Sequence, residues 1–314
     1  MIERHEIPST EEWLSWRPHW INMSEIAVVM GEATWGSLAE LYAEKKGLRP
    51  PLVDTASFRK GRWGEAAVFE AMAEERPHWQ LQRARVHVRD TDRRIACTPD
   101  GFAIRPDRDG IGVVEAKVIS RSVFQSRWVL FDDDDDVMPP PPYRLQTLGN
   151  MMLNNSRWGV LAVLIVGEFD WQLRLFDIER DPILEGRIRE GAAAFWRDYL
   201  DPGIMPPFEP QRDAELVRLL HPTDDGSEID LSGDNRALAA LDELIETQAA
   251  LKRMNAQETA LKTELQAKLG EHSVGRFNDG RRISWKHQHR KAHMVAASDP
   301  RVFRILKLKE EYNG

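Results

Sequence analysis

The feature that most constrains this chain is a group of charged residues within an apolar strand pattern. Residues 111–119 alternate as a β-strand does, so Glu115 and Lys117 point to one face about 6–7 Å apart. Asp100 lies in a Pro-Asp-Gly turn, and fourteen residues separate it from Glu115. Charge on a buried strand is unfavourable unless it is paired or bound to a metal. The fold therefore has to provide partners for these three side chains.

Two carboxylates and a lysine in this arrangement suit metal-assisted hydrolysis of a phosphodiester. The carboxylates of Asp100 and Glu115, with the backbone carbonyl of Ala116, are hard oxygen ligands of the kind that Mg²⁺ prefers. A bound metal polarises the phosphate and lowers the pKa of its water, while Lys117 can orient that water and stabilise the developing charge. The alternative is a hairpin with an ordinary Glu–Lys surface pair, because both short patterns are common.

Four stretches, in order, resemble the PD-(D/E)XK nuclease superfamily and its YqaJ or lambda-exonuclease branch. They are Pro99-Asp100 with Glu115-Ala116-Lys117, a serine-initiated helix at residues 23–31, Gly-Arg-Trp-Gly-Glu at residues 61–65, and Tyr-Arg-Leu-Gln-Thr-Leu at residues 143–148. The resemblance covers about residues 20–207. It implies an α/β fold with a mixed central sheet flanked by helices.

The resemblance also implies roles for individual residues. Glu65 would add a carboxylate to the metal site, Gln146 would contact the site, and Ser24 would touch DNA near the scissile or terminal phosphate. The implied metal ligands are Glu65, Asp100, Glu115 and Ala116. The implied catalytic set is Glu65, Asp100, Glu115, Lys117 and Gln146. One or two Mg²⁺ ions per site are expected, with Mn²⁺ as the alternative.

By the same resemblance, we expect a Mg²⁺-dependent exonuclease that digests linear double-stranded DNA from 5′ to 3′ in phage-type recombination. The implied partners are duplex ends, a single-strand annealing protein and further copies of the chain in a ring, commonly a trimer. A PD-(D/E)XK endonuclease and a non-catalytic DNA-binding scaffold are the alternatives. The scaffold is disfavoured because all five implied catalytic residues are intact.

Composition limits the classes of protein to which this chain can belong. No apolar run approaches the ~20 residues that span a bilayer. Cys97 is the single cysteine, which excludes internal disulfides and four-thiolate iron–sulfur clusters and favours the cytoplasm. A net charge of −8 does not exclude DNA as a ligand, since only the contact surface needs positive potential.

Two local patterns add to this. The acidic run at residues 132–136 predicts a solvated loop. No P-loop motif for an ATP-driven helicase is present.

Periodicity and capping signals predict the secondary structure of the first two thirds of the chain. Helices are expected at residues 8–16, 25–30, 34–46, 58–75, 143–154 and 183–200, with Ser9 or Thr10 capping the first and Ser24 capping the second. Strands are expected at residues 81–88, 95–97, 102–104, 113–119, 159–166 and 170–177. The first four of these strands are predicted to form the sheet that displays Asp100 and Glu115.

The predicted domains are a nuclease domain at residues 1–210, a linker at residues 211–233 and an appendage at residues 234–314. Leucines spaced by three and four residues predict a long helix, as a coiled coil or helical hairpin. A basic β-hairpin with an Asn-Asp-Gly turn follows. The expected DNA contacts are Arg276, Arg281, Arg282 and Lys286 on this hairpin, with Ser24 and Arg121 in the first domain. The alternative is a solvated hairpin packed on the helix.

Overall fold

The computed structural model of the chain describes residues 1–49, 56–130, 137–289 and 303–305, without the side chains of residues 56–58 and 129–130. The predicted loop at residues 132–136 lies outside these residues. The chain divides into two compact units, Met1–His221 and Pro222–Gly314. None of the helices in the described ranges is both long and apolar enough to cross a membrane.

The elements of both units are numbered in chain order. The strands are β1 (Ile2–Glu6), β2 (Ile21–Asn22), β3 (Gln80–Arg83), β4 (Val86–Asp90), β5 (Ile95–Cys97), β6 (Gly101–Ile104), β7 (Gly112–Ser120), β8 (Val129–Leu130), β9 (Val137–Met138), β10 (Trp158–Val166), β11 (Trp171–Glu179), β12 (Val274–Arg276) and β13 (Arg282–Ser284). The helices are α1 (Thr10–Trp16), α2 (Ile26–Val29), α3 (Leu38–Lys45), α4 (Ala56–Glu75), α5 (Arg121–Arg127), α6 (Pro141–Asn154), α7 (Pro182–Phe195), α8 (Ala214–Leu220) and α9 (Asn235–Leu269).

A mixed five-stranded sheet forms the centre of the first unit, in the order β11-β10-β7-β6-β3. β10 runs parallel to β7 and antiparallel to β11, and the remaining pairs are antiparallel. Val68 and Met72 of α4 are buried in the apolar layer on one face. On the other face, Thr147 and Met151 of α6 lie against Gly159 of β10. The predicted mixed central sheet flanked by helices is therefore confirmed.

A second sheet, in the order β1-β4-β5-β2, corrects the prediction of one continuous strand at residues 81–88. β3 pairs with β6 in the central sheet, whereas β4 pairs with β1 and β5 in the second. The apolar alternation changes phase between Leu81 and Ala84, so one strand could not keep both on the same face. The predicted strand at residues 95–97 is β5, and it belongs to the second sheet, not to the one that carries Asp100 and Glu115.

The helix caps agree with the sequence at α1 and differ at α2. Ser9 caps α1, as predicted, by accepting a hydrogen bond from the Glu12 amide. Ser24 does not cap α2, because Glu25 occupies that position and the Ser24 hydroxyl instead accepts a hydrogen bond from Arg17 at 3.2 Å. The carboxylate of Glu25 accepts the backbone N–H of Asn22 at 2.9 Å. The Glu25 carboxylate thus accepts the backbone hydrogen bond at this turn, where the sequence predicted a serine hydroxyl.

The first unit continues beyond the predicted start of the linker. Leu216 of α8 is buried against Ala39 and Ala43 of α3, and the buried Asp213 carboxylate accepts a hydrogen bond from Ser37 at 2.5 Å. Leu216 provides the apolar contact that fixes α8 to the first unit, within residues that the polar composition assigned to a linker.

The second unit contains the long helix and the predicted hairpin. α9 is a single helix of 35 residues, capped by Asp234. β12 and β13 pair around a turn in which Gly280 has φ of +85°, a left-handed conformation that favours glycine.

Candidate active site

The centre of the site is a buried carboxylate on β7, the middle strand of the central sheet. Glu115 and Lys117 point to the same face, as their spacing predicts, and Lys117 Nζ donates a hydrogen bond to Glu115 Oε1 at 2.5 Å. The Glu115 side chain is 1% exposed and that of Lys117 is 25% exposed, so only the lysine reaches solvent. Pairing offsets part of the free energy that burial of the charge requires.

Two residues of α6 complete the polar contacts of this pair. Lys117 Nζ also donates to Gln146 Oε1 at 3.2 Å, and the buried Asn150 donates from Nδ2 to Glu115 Oε2 at 2.8 Å. Residues four apart share a helix face, which is why one helix contacts both members of the pair. Gln146 was predicted and Asn150 was not, although its position four residues after Gln146 could have identified it.

Asp100 is held beside Glu115 by the pairing of β6 with β7. Gly101 lies opposite Val114 in this pair, and Asp100 Oδ2 accepts the backbone N–H of Ala116 at 2.7 Å. The carboxylate therefore lies against the backbone between Glu115 and Lys117.

Glu65 reaches this region because α4 lies unusually close to β7. A Cβ atom on Gly64 would stand 2.5 Å from Val118 Cγ2, so glycine is required for this approach. The Glu65 side chain is 34% exposed, and its Oε2 lies 3.7 Å from an Arg83 guanidinium nitrogen.

Burial, and for the two glutamates also the charge of Asp100, raises the proton affinity of the three carboxyl groups. Burial, and then the charge of Asp100, raise the pKa of Glu115 to about 8, although Lys117 opposes this. Burial and Asp100 likewise raise the pKa of Glu65 to about 7, against the opposing charges of Arg83 and Lys117. Burial also raises the pKa of Asp100. The cause common to all three is burial, which disfavours the charged form of a carboxyl group.

Lys117 remains an ammonium group in this setting. Burial disfavours its charged form, but the carboxylates of Glu115 and Asp100 outweigh burial and raise its pKa. The group can therefore donate hydrogen bonds and stabilise negative charge at neutral pH.

The donor set fits a hard divalent cation in its chemistry, since it consists of carboxylate oxygens whose mutual repulsion a cation would offset. The side chains do not converge as predicted, however. Within the described residues, no three or more His, Cys, Asp or Glu side chains are arranged as a group that could hold a metal ion. Each of the three carboxylates is instead engaged by the lysine, amide, backbone or arginine partner given above.

The predicted DNA contacts lie outside this group. Ser24 is exposed beside Arg17, and Arg121 pairs with Asp170 at 2.5 Å. The hairpin residues belong to the second unit, where Arg281 pairs with Asp279 at 2.6 Å.

Comparison with solved structures finds alkaline exonuclease folds at low similarity. An alkaline exonuclease from Laribacter hongkongensis is 20% identical, with a TM-score of 0.47, and the match covers 66% of this chain and 100% of that one. A phage-related exonuclease from Haemophilus somnus 129PT is 11% identical, with a TM-score of 0.42, over 60% of this chain and 99% of that one. A search of curated proteins gave no match.

The sequence itself matches a family model over part of the chain. Residues 12–156 match the family model of the YqaJ-like viral recombinase domain. This range includes Glu65 of α4, Gln146 of α6, and Asp100, Glu115 and Lys117 of the central sheet region.

Proposed function

We propose that this chain is a metal-dependent deoxyribonuclease, and that Glu115 with Lys117 forms its catalytic centre. The observation that carries the proposal is the buried Glu115 carboxylate, which lies between a charged lysine and a neutral amide and close to a second carboxylate, Asp100. Perturbed carboxyl groups beside a lysine are typical of active sites. The match of residues 12–156 to a recombinase family model supports DNA as the substrate.

Glu65, Asp100, Glu115 and the carbonyl of Ala116 would hold one or two Mg²⁺ ions, with Mn²⁺ as an alternative. When bound, such an ion supplies a water of lowered pKa and neutralises phosphate charge. Lys117 donates hydrogen bonds from Nζ to the attacking water and to the phosphate oxygens on which charge develops. Gln146 and Asn150 keep the lysine and the glutamate in position.

The substrate that we propose is the end of linear duplex DNA, digested from 5′ to 3′, with the product passed to a single-strand annealing protein. A ring of identical copies, such as a trimer, would keep the enzyme on its substrate. Ser24 and Arg121 would contact DNA in the first unit. Covalently closed circular duplex separates this activity from that of an endonuclease, because only the endonuclease would cut it.

The hairpin of the second unit would supply additional phosphate contacts through Arg276, Arg281, Arg282 and Lys286. Arg276 and Arg282 lie directly opposite each other in the β12–β13 pair. Like charges in this position are destabilising unless an anion lies between them. A DNA phosphate would be such an anion.

The central test is hydrolysis of end-labelled linear duplex in Mg²⁺. We expect Glu115→Gln and Lys117→Ala to lower the rate by about 100-fold or more, since each removes a group that acts on the transition state. Both variants should retain binding to duplex in the absence of Mg²⁺. Glu190→Gln, at an exposed glutamate of α7, is the matched control and should keep the wild-type rate.

A second measurement makes the metal assignment independent of turnover. Mg²⁺ should raise the melting temperature of the wild type, because ligand binding to the native state stabilises it, and should raise that of Glu115→Gln much less. Full hydrolysis by both variants would remove these residues from the mechanism.

A further inference from the structure

The long helix of the second unit carries an apolar stripe that is largely open to solvent. Within α9, Leu251, Met254 and Leu261 are 53%, 65% and 54% exposed, and Leu244 and Leu265 are half-buried. None of the apolar clusters formed by the described residues includes any of these five side chains. Helices in proteins derive most of their stability from the packing of an apolar face, so this stripe requires a partner.

The spacing of the stripe indicates what kind of partner fits it. The five side chains follow one another at intervals of 7, 3, 7 and 4 residues, which are the intervals between the a and d positions of a coiled coil. Thr247 and Glu258 occupy the two such positions that remain between residues 244 and 265. With Ala240 included, this seam of a and d positions extends over about four heptads, a length that indicates a coiled coil. The fitting partner is therefore another helix of similar length.

The seam is complementary to its own reverse. Two coiled-coil helices meet through their a and d positions, and reversing one of two identical helices places each a position opposite a d position. With the axis at the middle of α9, Leu244 lies opposite Leu261 of a second copy, and Thr247 lies opposite Glu258. From residue 240 to residue 265, apolar positions then meet apolar ones and polar positions meet polar ones. A second copy of the chain, in antiparallel orientation, thus fits the seam along its whole length.

A parallel pair fits less well, because each seam residue would meet its own equivalent. The carboxylates of Glu258 from two copies would then lie opposite each other in the middle of an apolar seam. Like charges that are removed from water together are unfavourable. In the antiparallel pair, Glu258 instead faces the hydroxyl group of Thr247.

The charges along α9 favour the same orientation. Residues 235–251 carry one basic and three acidic side chains, whereas residues 252–269 carry four basic and two acidic ones. Most of them lie outside the first and last turns, where the helix dipole acts, so the dipole does not account for this distribution. An antiparallel second copy brings the acidic half of each helix beside the basic half of the other.

We propose that α9 forms an antiparallel coiled coil with α9 of a second copy of this chain. The coiled coil is about 50 Å long, since the helix has 35 residues that each add 1.5 Å. Leu269, the last residue of α9, is buried beside Gly275 of the hairpin. The two basic hairpins therefore lie at opposite ends of the coiled coil. This pairing does not depend on the nuclease function proposed above.

The test is disulfide trapping with single cysteines at two positions that the proposal pairs. Full-length Leu244→Cys and Leu261→Cys are oxidised separately and as a mixture, and covalent dimers are measured on a non-reducing gel. The mixture should form covalent dimer, because residue 244 of one copy lies against residue 261 of the other. Each variant alone should not, because its two cysteines are about 25 Å apart along the axis, whereas a disulfide requires Cα atoms within ~7 Å.

The expected difference is large. Cysteines that are held together react at an effective concentration in the millimolar range. At micromolar protein, the mixture should therefore form covalent dimer at least about 10-fold faster than either variant alone. Cys97 is buried and is present in every sample, so it does not affect the comparison.

Two pairs of glutamates make the result specific to the seam. Leu251→Glu/Met254→Glu, added to both cysteine variants, places charge in the seam and should abolish the covalent dimer. Ala260→Glu/Ala267→Glu adds the same charge at exposed positions outside the seam and should leave the dimer unchanged. Every variant should retain the thermal transition of the first unit, which contains none of these changes.

Equal cross-linking of either cysteine variant alone and of the mixture would indicate a parallel pair or random contact, and would overturn the proposal. Absence of covalent dimer from the mixture would overturn it as well, because the stripe would then be covered by another protein or by another part of the same chain. Persistence of the dimer in the presence of Leu251→Glu/Met254→Glu would have the same consequence. Since the samples contain neither DNA nor Mg²⁺, these results are independent of the hydrolysis rates that test the nuclease.

Discussion

His87 is a fully buried histidine that the protein keeps uncharged. Its Nδ1 lies 3.0 Å from the Thr98 hydroxyl, and Nε2 has no hydrogen-bond partner. Burial, and then the charges of Arg89 and Arg17, lower the pKa of His87 to about 4. The unfolded chain therefore takes up a proton near pH 6.5, whereas the folded chain does so only near pH 4.

The contribution of His87 to native-state stability should consequently fall as the pH falls from 6.5 to 4, whereas Glu65 and Glu115, whose pKa values are raised, contribute in the opposite direction. Between pH 7 and pH 5 we expect His87 to account for a loss of about 2 kcal/mol in the free energy of unfolding, measured by urea denaturation. His87→Gln should therefore become more stable relative to the wild type, by about this amount, between pH 7 and pH 5. His19→Gln, at an exposed histidine, should retain the wild-type pH dependence of stability, and an equal pH dependence in all three proteins would contradict the assignment.

Asn150 should contribute substantially to the stability of the protein, although its side chain is neutral. Asn150→Ala removes the amide donor from Glu115 Oε2 inside the protein, which should cost roughly 1–3 kcal/mol of stability. Asn150→Asp should be worse at neutral pH, because it places a further carboxyl group against Glu115, in addition to Asp100. Asn255→Ala on the exposed part of α9 is the control in thermal denaturation and should cause no loss. Equal melting temperatures for Asn150→Ala and the wild type would show that the contact contributes nothing.

The residues of the candidate site were predictable to different extents. Glu115 and Lys117 follow from the period of a strand, and Gln146 from a motif. Arg83 carries no such signal, and although Asn150 lies four residues after Gln146, only the fold shows that this helix face contacts Glu115. The contact of Asp100 with a backbone amide depends on the register of β6 and β7, which sequence does not specify.

At the level of single elements, the approach of α4 to β7 can be tested with two glycines of one helix. Gly61→Ala meets nothing within 4 Å and should stabilise the protein by about 0.5–1 kcal/mol, since alanine favours a helix more than glycine does. Gly64→Ala would place its Cβ against Val118 and should destabilise the protein by about 1–3 kcal/mol. It should also slow hydrolysis, because it moves Glu65.

Thermal denaturation of the two variants checks the predicted changes in stability. The rate at which Gly64→Ala digests linear duplex checks the predicted loss of activity. Equal behaviour of the two alanine variants would mean that the close packing of α4 does not position Glu65.

The elements themselves were largely predictable where a period is sustained. β7, β10, α6 and α9 were all expected near their observed positions. The prediction of which strands belong to which sheet was wrong, because the segment at residues 80–90 contributes one strand to the central sheet and one to the second sheet. The choice of a partner strand depends on distant hydrogen bonds and side-chain packing, which a local alternation of apolar residues does not encode.

For the whole molecule, the division at His221 predicts that the first unit folds without the second. We expect limited proteolysis to cut within residues 222–234, and a protein of residues 1–221 to keep its melting temperature to within about 2–4 °C. It should still hydrolyse linear duplex. Loss of the hairpin should weaken DNA binding most at low salt and make the salt dependence shallower.

The matched comparison is the full chain with Arg276→Ala and Arg282→Ala, which should show the same change in salt dependence while keeping the second unit. A fragment that does not fold would mean that the second unit is part of the first unit's structure. An unchanged salt dependence in the double variant would exclude the hairpin from DNA binding.

Cys97 is the only cysteine of the chain, and it is buried in β5, where Asn154 donates a hydrogen bond to its sulfur. Burial raises the pKa of its thiol, so the reactive thiolate is scarce at neutral pH. A maleimide or spin label would accordingly spare the native sulfur and react with a cysteine engineered at the surface. Distances between α9 and the first unit thus become measurable by pulsed spectroscopy in an otherwise unaltered protein.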